Sequence, residues 1–139
     1  MHSMSNHLAT VGMIYEAFGK GDVPTILDCV ADDVRWEAWD DNRAQAAGVP
    51  WLQERHGKEG VLAFFQVMGG LRVHDFRVLS LMAGGNQVAA EFEIEFEAPA
   101  TGRRLRDQEI HLWTFNDQGQ VIRLRHYADT AKHIETARS

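Results

Sequence analysis

DQEIHLWTFNDQGQVIRLRHYAD, residues 107–129, reads as two apolar-rich strands joined by a tight turn at Asn116-Asp117-Gln118-Gly119. Side chains alternate across a strand, so Asp107, Glu109, His111, Trp113 and Phe115 share one face of the first arm, opposite Gln108, Ile110, Leu112 and Thr114. In the second arm Ile122, Leu124, His126 and Ala128 alternate with Arg123, Arg125, Tyr127 and Asp129. If the aromatic face of one arm and the aliphatic face of the other point the same way, His111 and His126 lie on one buried surface with Asp107 and Glu109. That is a heavy polar load for a core, and it suggests the floor of a pocket.

The preceding stretch is also β. Val73 to Met82 reads as one strand, Gly84-Gly85-Asn86 as a turn, Gln87 to Ala98 as the next strand, and Pro99 to Gly102 as another turn. Val88, Ala90, Phe92, Ile94 and Phe96 form an apolar face opposite Glu91, Glu93, Glu95 and Glu97. Four carboxylates in a row repel one another unless cations lie beside them, and Arg104 and Arg106 arrive on the next strand with matching alternation. Such a ladder is expected to be structural.

The first half is helical. Leu8, Val11, Tyr15 and Phe18 recur at spacings of three and four between Met4 and Lys20, with Gly19 and Gly21 ending the pattern. Asp22 is placed to cap a second helix with Pro24 in its first turn and Ile26, Leu27, Val30 and Ala31 as its buried stripe, closed by Asp32-Asp33. Val34 to Trp39 reads as a short strand in which Val34, Trp36 and Ala38 oppose Arg35, Glu37 and Trp39. Asp40 to Gly57 has no period and is expected to be a long loop, with Trp51 placed either to fold over a cavity or to anchor the loop. Lys58 to Leu71 returns to helical spacing, with Val61, Leu62, Phe64, Phe65 and Met68 on one side. After Asp129 the chain reads as a short terminal helix or tail. Helices first, then four successive strands without helical crossovers, predict an α+β fold.

A chain of 139 residues with 45% apolar content is long enough for one domain with its own core. We read residues 4–139 as that domain and Met1-His2-Ser3, which precede a second methionine, as a cloning remnant. The formal charge of -6 argues against nucleic-acid and anionic-membrane partners, which need basic patches. Cys29 is alone and has no intrachain partner, which fits a reducing, cytoplasmic compartment. Neither a signal peptide nor a run of roughly 18 apolar residues is present.

Two stretches carry a family resemblance: VGMIYEAFGKGDVPTILDCVADDVRWE, residues 11–37, and TGRRLRDQEIHLWTFNDQGQVIRLRHYADTA, residues 101–131. Together they resemble the SnoaL-like branch of the nuclear-transport-factor-2-like superfamily and, more loosely, the ketosteroid isomerases. The resemblance implies a cone-shaped, curved antiparallel sheet wrapped around the N-terminal helices, with an internal pocket, commonly in a homodimer paired through outer sheet faces. It does not imply one activity, because the superfamily holds isomerases, cyclases, hydrolases, dehydratases and binding modules. Counted from Ala31-Asp32-Asp33, the carboxylate base of the isomerases aligns with Ala38, with Glu37 adjacent and expected to face away. His111 aligns with the acid that binds the enolate in those enzymes, and their helix-one tyrosine aligns with Ile14, one position from Tyr15. The Arg-x-Asp motif of limonene epoxide hydrolases is not reproduced, since Arg106 and Asp107 are adjacent and His126 stands at the last-strand position.

His111 and His126 are therefore the leading candidates for acid–base work, with Asp107 or Glu109 orienting one of them. A carboxylate-held core histidine fits the same pattern. A metal is not expected, since no recognised ligand spacing occurs. Tyr15, Phe18, Trp36, Phe64, Phe65 and Trp113, with Trp51 from the loop, form the candidate wall of a ligand site, although such stripes also serve as plain core. Aromatics beside ionisable groups favour a small apolar or aromatic ligand carrying a carbonyl or hydroxyl. The expected chemistry is cofactor-independent proton transfer next to a carbonyl, in isomerisation, cyclisation or dehydration, one histidine acting as base and the other as donor to the oxyanion. The alternatives are a non-catalytic small-molecule binding protein and a dimeric interaction module with a filled interior.

Overall fold

The computed structural model describes residues 3–138, so the reading of Met1 and His2 as a remnant, and of Ser139 as the end of the domain, lies outside the described residues. Ser3 lies inside them and caps the first helix, α1 (Met4–Lys20), accepting a hydrogen bond from the Asn6 amide. Gly21 ends α1 in the left-handed conformation, φ 68°, which lets its amide reach the carbonyls of Ala17 and Phe18. Asp22 then caps α2 (Val23–Asp28). This second helix is shorter than its apolar stripe suggests. Val30 and Ala31 are buried as expected, but within β1 (Val30–Trp36), which also contains Asp32 and Asp33. Hydrophobic residues in a row satisfy a buried strand as well as a helix face, and pairing with the last strand decides between them.

The segment after β1 holds more structure than its lack of period indicates. It forms α3 (Arg43–Ala46), a 3-10 turn (Pro50–Leu52) and β2 (Arg55–His56) before α4 (Gly57–Met68). Val61 and Phe64 of α4 are buried, whereas Leu62, expected on the same side, is 42% exposed. The rest is β3 (Arg72–Gly84), β4 (Gln87–Ala98), β5 (Arg103–Phe115) and β6 (Val121–Tyr127), closed by α5 (Thr130–Ala137).

The strands form one six-stranded sheet in the order β2-β1-β6-β5-β4-β3. It is curved and does not close, which gives the cone of an α+β fold with helices packed inside and at its edges. The β3 to β6 neighbours are antiparallel, and β1 adds to β6 in parallel. Val88, Ala90, Phe92, Ile94 and Phe96 all face inward and are buried. Outside, Arg104 pairs with Glu95 at 2.9 Å and Arg77 with Glu93 at 2.5 Å, which relieves the carboxylate row. The turn after β5 introduces one irregularity: Thr114 pairs with Arg123 but Phe115 with Val121. The extra residue puts Val121 into the core in place of Ile122, correcting the simple alternation of the second arm.

Two apolar clusters flank a central space. One joins α1, α2, β1 and α4 to Trp113, Phe115, Val121 and Leu124. The other gathers Trp51, Leu52, Phe92, Ile94, Phe96 and Leu105, with Ile134 and Ala137 of α5 against it. No helix among the described residues is long and apolar enough to cross a membrane.

Candidate functional site

The register of β5 and β6 sets His111 directly opposite His126, with ring centroids 4.5 Å apart. Both border a cavity of about 60 Å³ together with Tyr15, Phe18, Trp36, Trp51, Phe64, Phe65 and Trp113, so every aromatic singled out from the sequence lines it. Glu109 lines it too, while Asp107 stands behind, out of the wall. The volume gives room for about two waters. Tyr15, Phe18, Phe65, Met68 and Phe76 are shared with an adjoining depression of about 650 Å³, which also touches Gly19, Val23, His74 and Asp75.

Glu37 enters the wall against expectation. A regular strand would aim it away from Trp36 and Ala38, but β1 ends at Trp36 and Glu37 adopts φ 58°, a left-handed conformation. Such a backbone costs a non-glycine residue about 1–3 kcal/mol. The Glu37 carbonyl accepts from the Trp39 amide at 2.9 Å and from Gln45 Nε2 at 3.0 Å, and the Ala38 amide donates to the Leu124 carbonyl at 2.9 Å. These bonds offset the strain and turn the Glu37 side chain inward, where it is 2% exposed.

His126 sits between two carboxylates. Its Nδ1 lies 3.1 and 3.0 Å from the two Glu37 oxygens, and its Nε2 lies 2.5 Å from Glu109 Oε1. Carboxylates only accept, so both ring nitrogens carry protons and His126 is an imidazolium. Burial works against that charge, but Glu37 and Glu109 outweigh it and hold the His126 pKa well above its ordinary value. Glu109 is correspondingly held well below the usual carboxylate range: burial would raise it, and the charge and hydrogen bonds of His126, joined by His133, overcome that.

His133 was not anticipated. It lies on α5, is 1% exposed, and donates from Nε2 to Glu109 Oε2 at 2.6 Å and toward Asp107 Oδ2 at 3.2 Å. Trp51 Nε1 donates to its Nδ1 at 2.8 Å. Two influences act on its ring in opposite senses. Burial lowers its pKa, but Asp107 and Glu109 carry it above the ordinary value, whereas the indole, which can only donate, favours a bare Nδ1. Asp107 also accepts from the Asp129 amide at 3.1 Å, tying the start of α5 to β5. The sequence signal that points to this helix is the Asp129 cap, and nothing local says which face it buries.

His111 has different company. Trp113 Nε1 donates to the Tyr15 hydroxyl at 3.0 Å, and that hydroxyl lies 2.7 Å from His111 Nδ1. A phenol that accepts from the indole passes its own proton on, so His111 accepts at Nδ1 and keeps its proton on Nε2. Burial first, and the positive His126 second, hold the His111 pKa well below its ordinary value despite Glu109. Burial likewise pushes the Tyr15 phenol up, against the lowering effect of the Trp113 hydrogen bond.

Asp107, Glu109 and His133 bring three possible ligand atoms within 4.8 Å of one another. As arranged they do not suit a metal. The Trp51 donor occupies Nδ1 of His133, which leaves the ring proton on Nε2, the atom facing the carboxylates.

The cavity has a charged side, Glu37, His126 and Glu109, and a neutral side, His111 with Tyr15. Such a pair can remove a proton at one point and bind developing negative charge at another.

A family profile described as the SnoaL-like domain matches residues 11–124. Among solved structures, an NTF2-like protein of unknown function from Burkholderia pseudomallei is 24% identical, with a TM-score of 0.79 over 96% of this chain and 98% of that one. TerC co-crystallised with polyporic acid is 21% identical, with a TM-score of 0.75 over 96% and 99%. A protein of Xanthomonas campestris described as a candidate polyketide cyclase is 20% identical, with a TM-score of 0.73 over 96% and 98%. At these identities the likeness concerns the fold. No curated protein matches the chain.

Proposed function

The chain belongs to the SnoaL-like domain family, and on that premise we propose that it binds a small apolar or aromatic carbonyl compound and catalyses cofactor-independent proton transfer beside the carbonyl. The observation that carries the reading is the pairing, in one aromatic cavity, of a carboxylate with spare lone pairs and a neutral imidazole with a spare N–H. Glu37 offers both oxygens to a single N–H of His126 and so retains acceptor capacity. The two oxygens of Glu109 are already taken by separate histidines. Glu37 is therefore the base, and His126 orients it.

This reverses the roles expected from the sequence, where a histidine was to be the base. His126 has both nitrogens committed to carboxylates, and Nδ1 of His111 is taken by Tyr15. The Nε2–H of His111 becomes the donor to the oxyanion. In the proposed step the Cα–H bond breaks, its proton passes to Glu37, and the electron pair moves onto the carbonyl oxygen as an enolate held by His111. The carboxylic acid of Glu37 then returns the proton to another carbon, or assists loss of a leaving group. The inner cavity is small, so the reactive end of the ligand enters it while the body occupies the adjoining depression. The candidate cyclase and the polyporic acid complex among the structural neighbours support this class of ligand.

The test is deuterium exchange at the carbon beside the carbonyl, followed by NMR over a panel of aromatic and polycyclic ketones. Wild type is expected to exchange at least one ligand, and Glu37→Gln to lose about a hundredfold or more of the rate while still binding it. Binding without exchange identifies a non-catalytic binding protein. No binding across the panel removes the reading.

A further inference from the structure

We propose that Trp51 and His133 are a positioning pair for this site: the indole N–H holds His133 as the neutral Nε2–H tautomer, which keeps Glu109 available to His126 as a carboxylate. The inference rests on the reading of Glu37 as the base that His126 orients. It assigns a role to the loop after β1 and to α5, neither of which supplies a group to the chemistry.

An indole N–H has no lone pair to offer, so at 2.8 Å the facing Nδ1 of His133 must be the acceptor. The ring then has one proton, on Nε2, aimed at Glu109. Glu109 receives one N–H on each oxygen, from His133 on Oε2 and from His126 on Oε1. The chain runs Trp51 to His133 to Glu109, where it meets the chain from Glu37 through His126. The groups that face His133 are Asp107 and Glu109 from β5, His126 from β6, Trp51 from the 3-10 turn and Phe96 from β4. On its own helix, Lys132 places its ammonium 3.8 Å from Asp107.

Without the indole, the carboxylates draw a second proton onto Nδ1. His133 would then be a cation 6.4 Å, ring centre to ring centre, from the imidazolium of His126, and both would compete for Glu109. A like charge at this range disfavours the His126 cation and loosens its hold on Glu37. Trp51 prevents this by occupying the one position where the proton could go.

The experiment reads the imidazole nitrogens of the ligand-free full chain by 15N NMR across pH. Wild type is expected to show His133 with a bare Nδ1 and a protonated Nε2 at neutral pH, and His126 doubly protonated. Trp51→Phe keeps a ring against Phe96 but removes the N–H; His133 should then gain a proton at neutral pH, and the His126 titration should move down by about one pH unit or more. A doubly protonated or Nδ1–H His133 in wild type overturns the proposal, as does a Trp51→Phe protein with both rings unchanged. If Trp51→Phe does not fold, His133→Gln, which presents an N–H to Glu109 and an oxygen to Trp51, should keep the wild-type His126 titration; a displaced titration overturns the pair. With an exchanging ligand, Trp51→Phe should shift the pH profile of kcat, whereas a merely packed tryptophan would alter KM alone. Absence of exchange in every protein would remove the proposed base, while the ring states would still decide the tautomer lock.

Discussion

His111 and His126 occupy matched positions on adjacent strands, with their rings 4.5 Å apart, yet their environments drive them in opposite directions. His126 is buried and His111 partly so, and burial opposes the charged form of each. His111 meets a phenol that is itself satisfied by Trp113, and nothing there repays the loss of water around a cation. His126 meets Glu37 and Glu109, and their charges exceed the burial penalty. The difference teaches that a histidine's state in this cavity is set by the groups that reach its ring, Glu109 from the hairpin itself and the others from outside it. Tyr15 comes from α1, and Glu37 from the irregular end of β1. Two like groups with pKa values pushed apart are a recognised way of assigning one the charged role and the other the neutral one.

The largest expected effect breaks the charged side. Glu109→Gln leaves an amide between two N–H donors and can satisfy one of them, so unfolding in denaturant should show a loss of about 3–5 kcal/mol, as for a buried ion pair deprived of one partner. A loss under about 1 kcal/mol would mean that the two imidazoles do not depend on this carboxylate. Tyr15→Phe breaks the neutral side and should cost less, about 1–3 kcal/mol, since it leaves the Trp113 N–H and the His111 Nδ1 without their partner but strands no charge. A Tyr15→Phe penalty equal to that of Glu109→Gln would erase the contrast between the two sides.

The smallest effect is a change of slope with pH. The folded pKa of His126 lies above its unfolded value of about 6.5, so its stabilisation is complete below that pH and is lost as pH rises through the folded value. His111 has the opposite sign: its contribution is present above about pH 6.5 and is lost as pH falls through the depressed folded value. Glu109, also depressed, adds a further loss at lower pH. His111→Phe should therefore flatten the decline of stability just below about pH 6.5 while leaving the alkaline decline in place. An unchanged acid limb would show that His111 titrates normally.

Much of this was legible along the chain. The Asn116 to Gly119 turn and period-2 patterning located β5 and β6, whereas the pairing of His111 with His126 depends on the extra residue at Ile122, since the Phe115–Val121 register carried on from the turn would set His111 opposite Arg125. The helix caps at Asp22 and Gly21 were readable because capping is a property of a few neighbouring residues. Glu37 was misread because alternation assumes a continuing strand, and its left-handed φ is held by bonds from Gln45 and to Leu124 that no local pattern encodes. Asp107 or Glu109 was expected to orient one of the two histidines; Glu109 contacts His126, while Asp107 stands by His133 and fastens α5.

The order of elements, the α+β class and the inward face carrying Glu109, His111, Trp113 and His126 were determined by the sequence itself, because turns, caps and side-chain alternation act over a few residues. The tertiary structure alone decided that Glu37 turns inward, that His133 docks from the final helix, and that one facing histidine is charged and the other neutral. Those outcomes depend on groups distant in the chain meeting in a buried place, where each charge takes its state from the partners that folding brings to it.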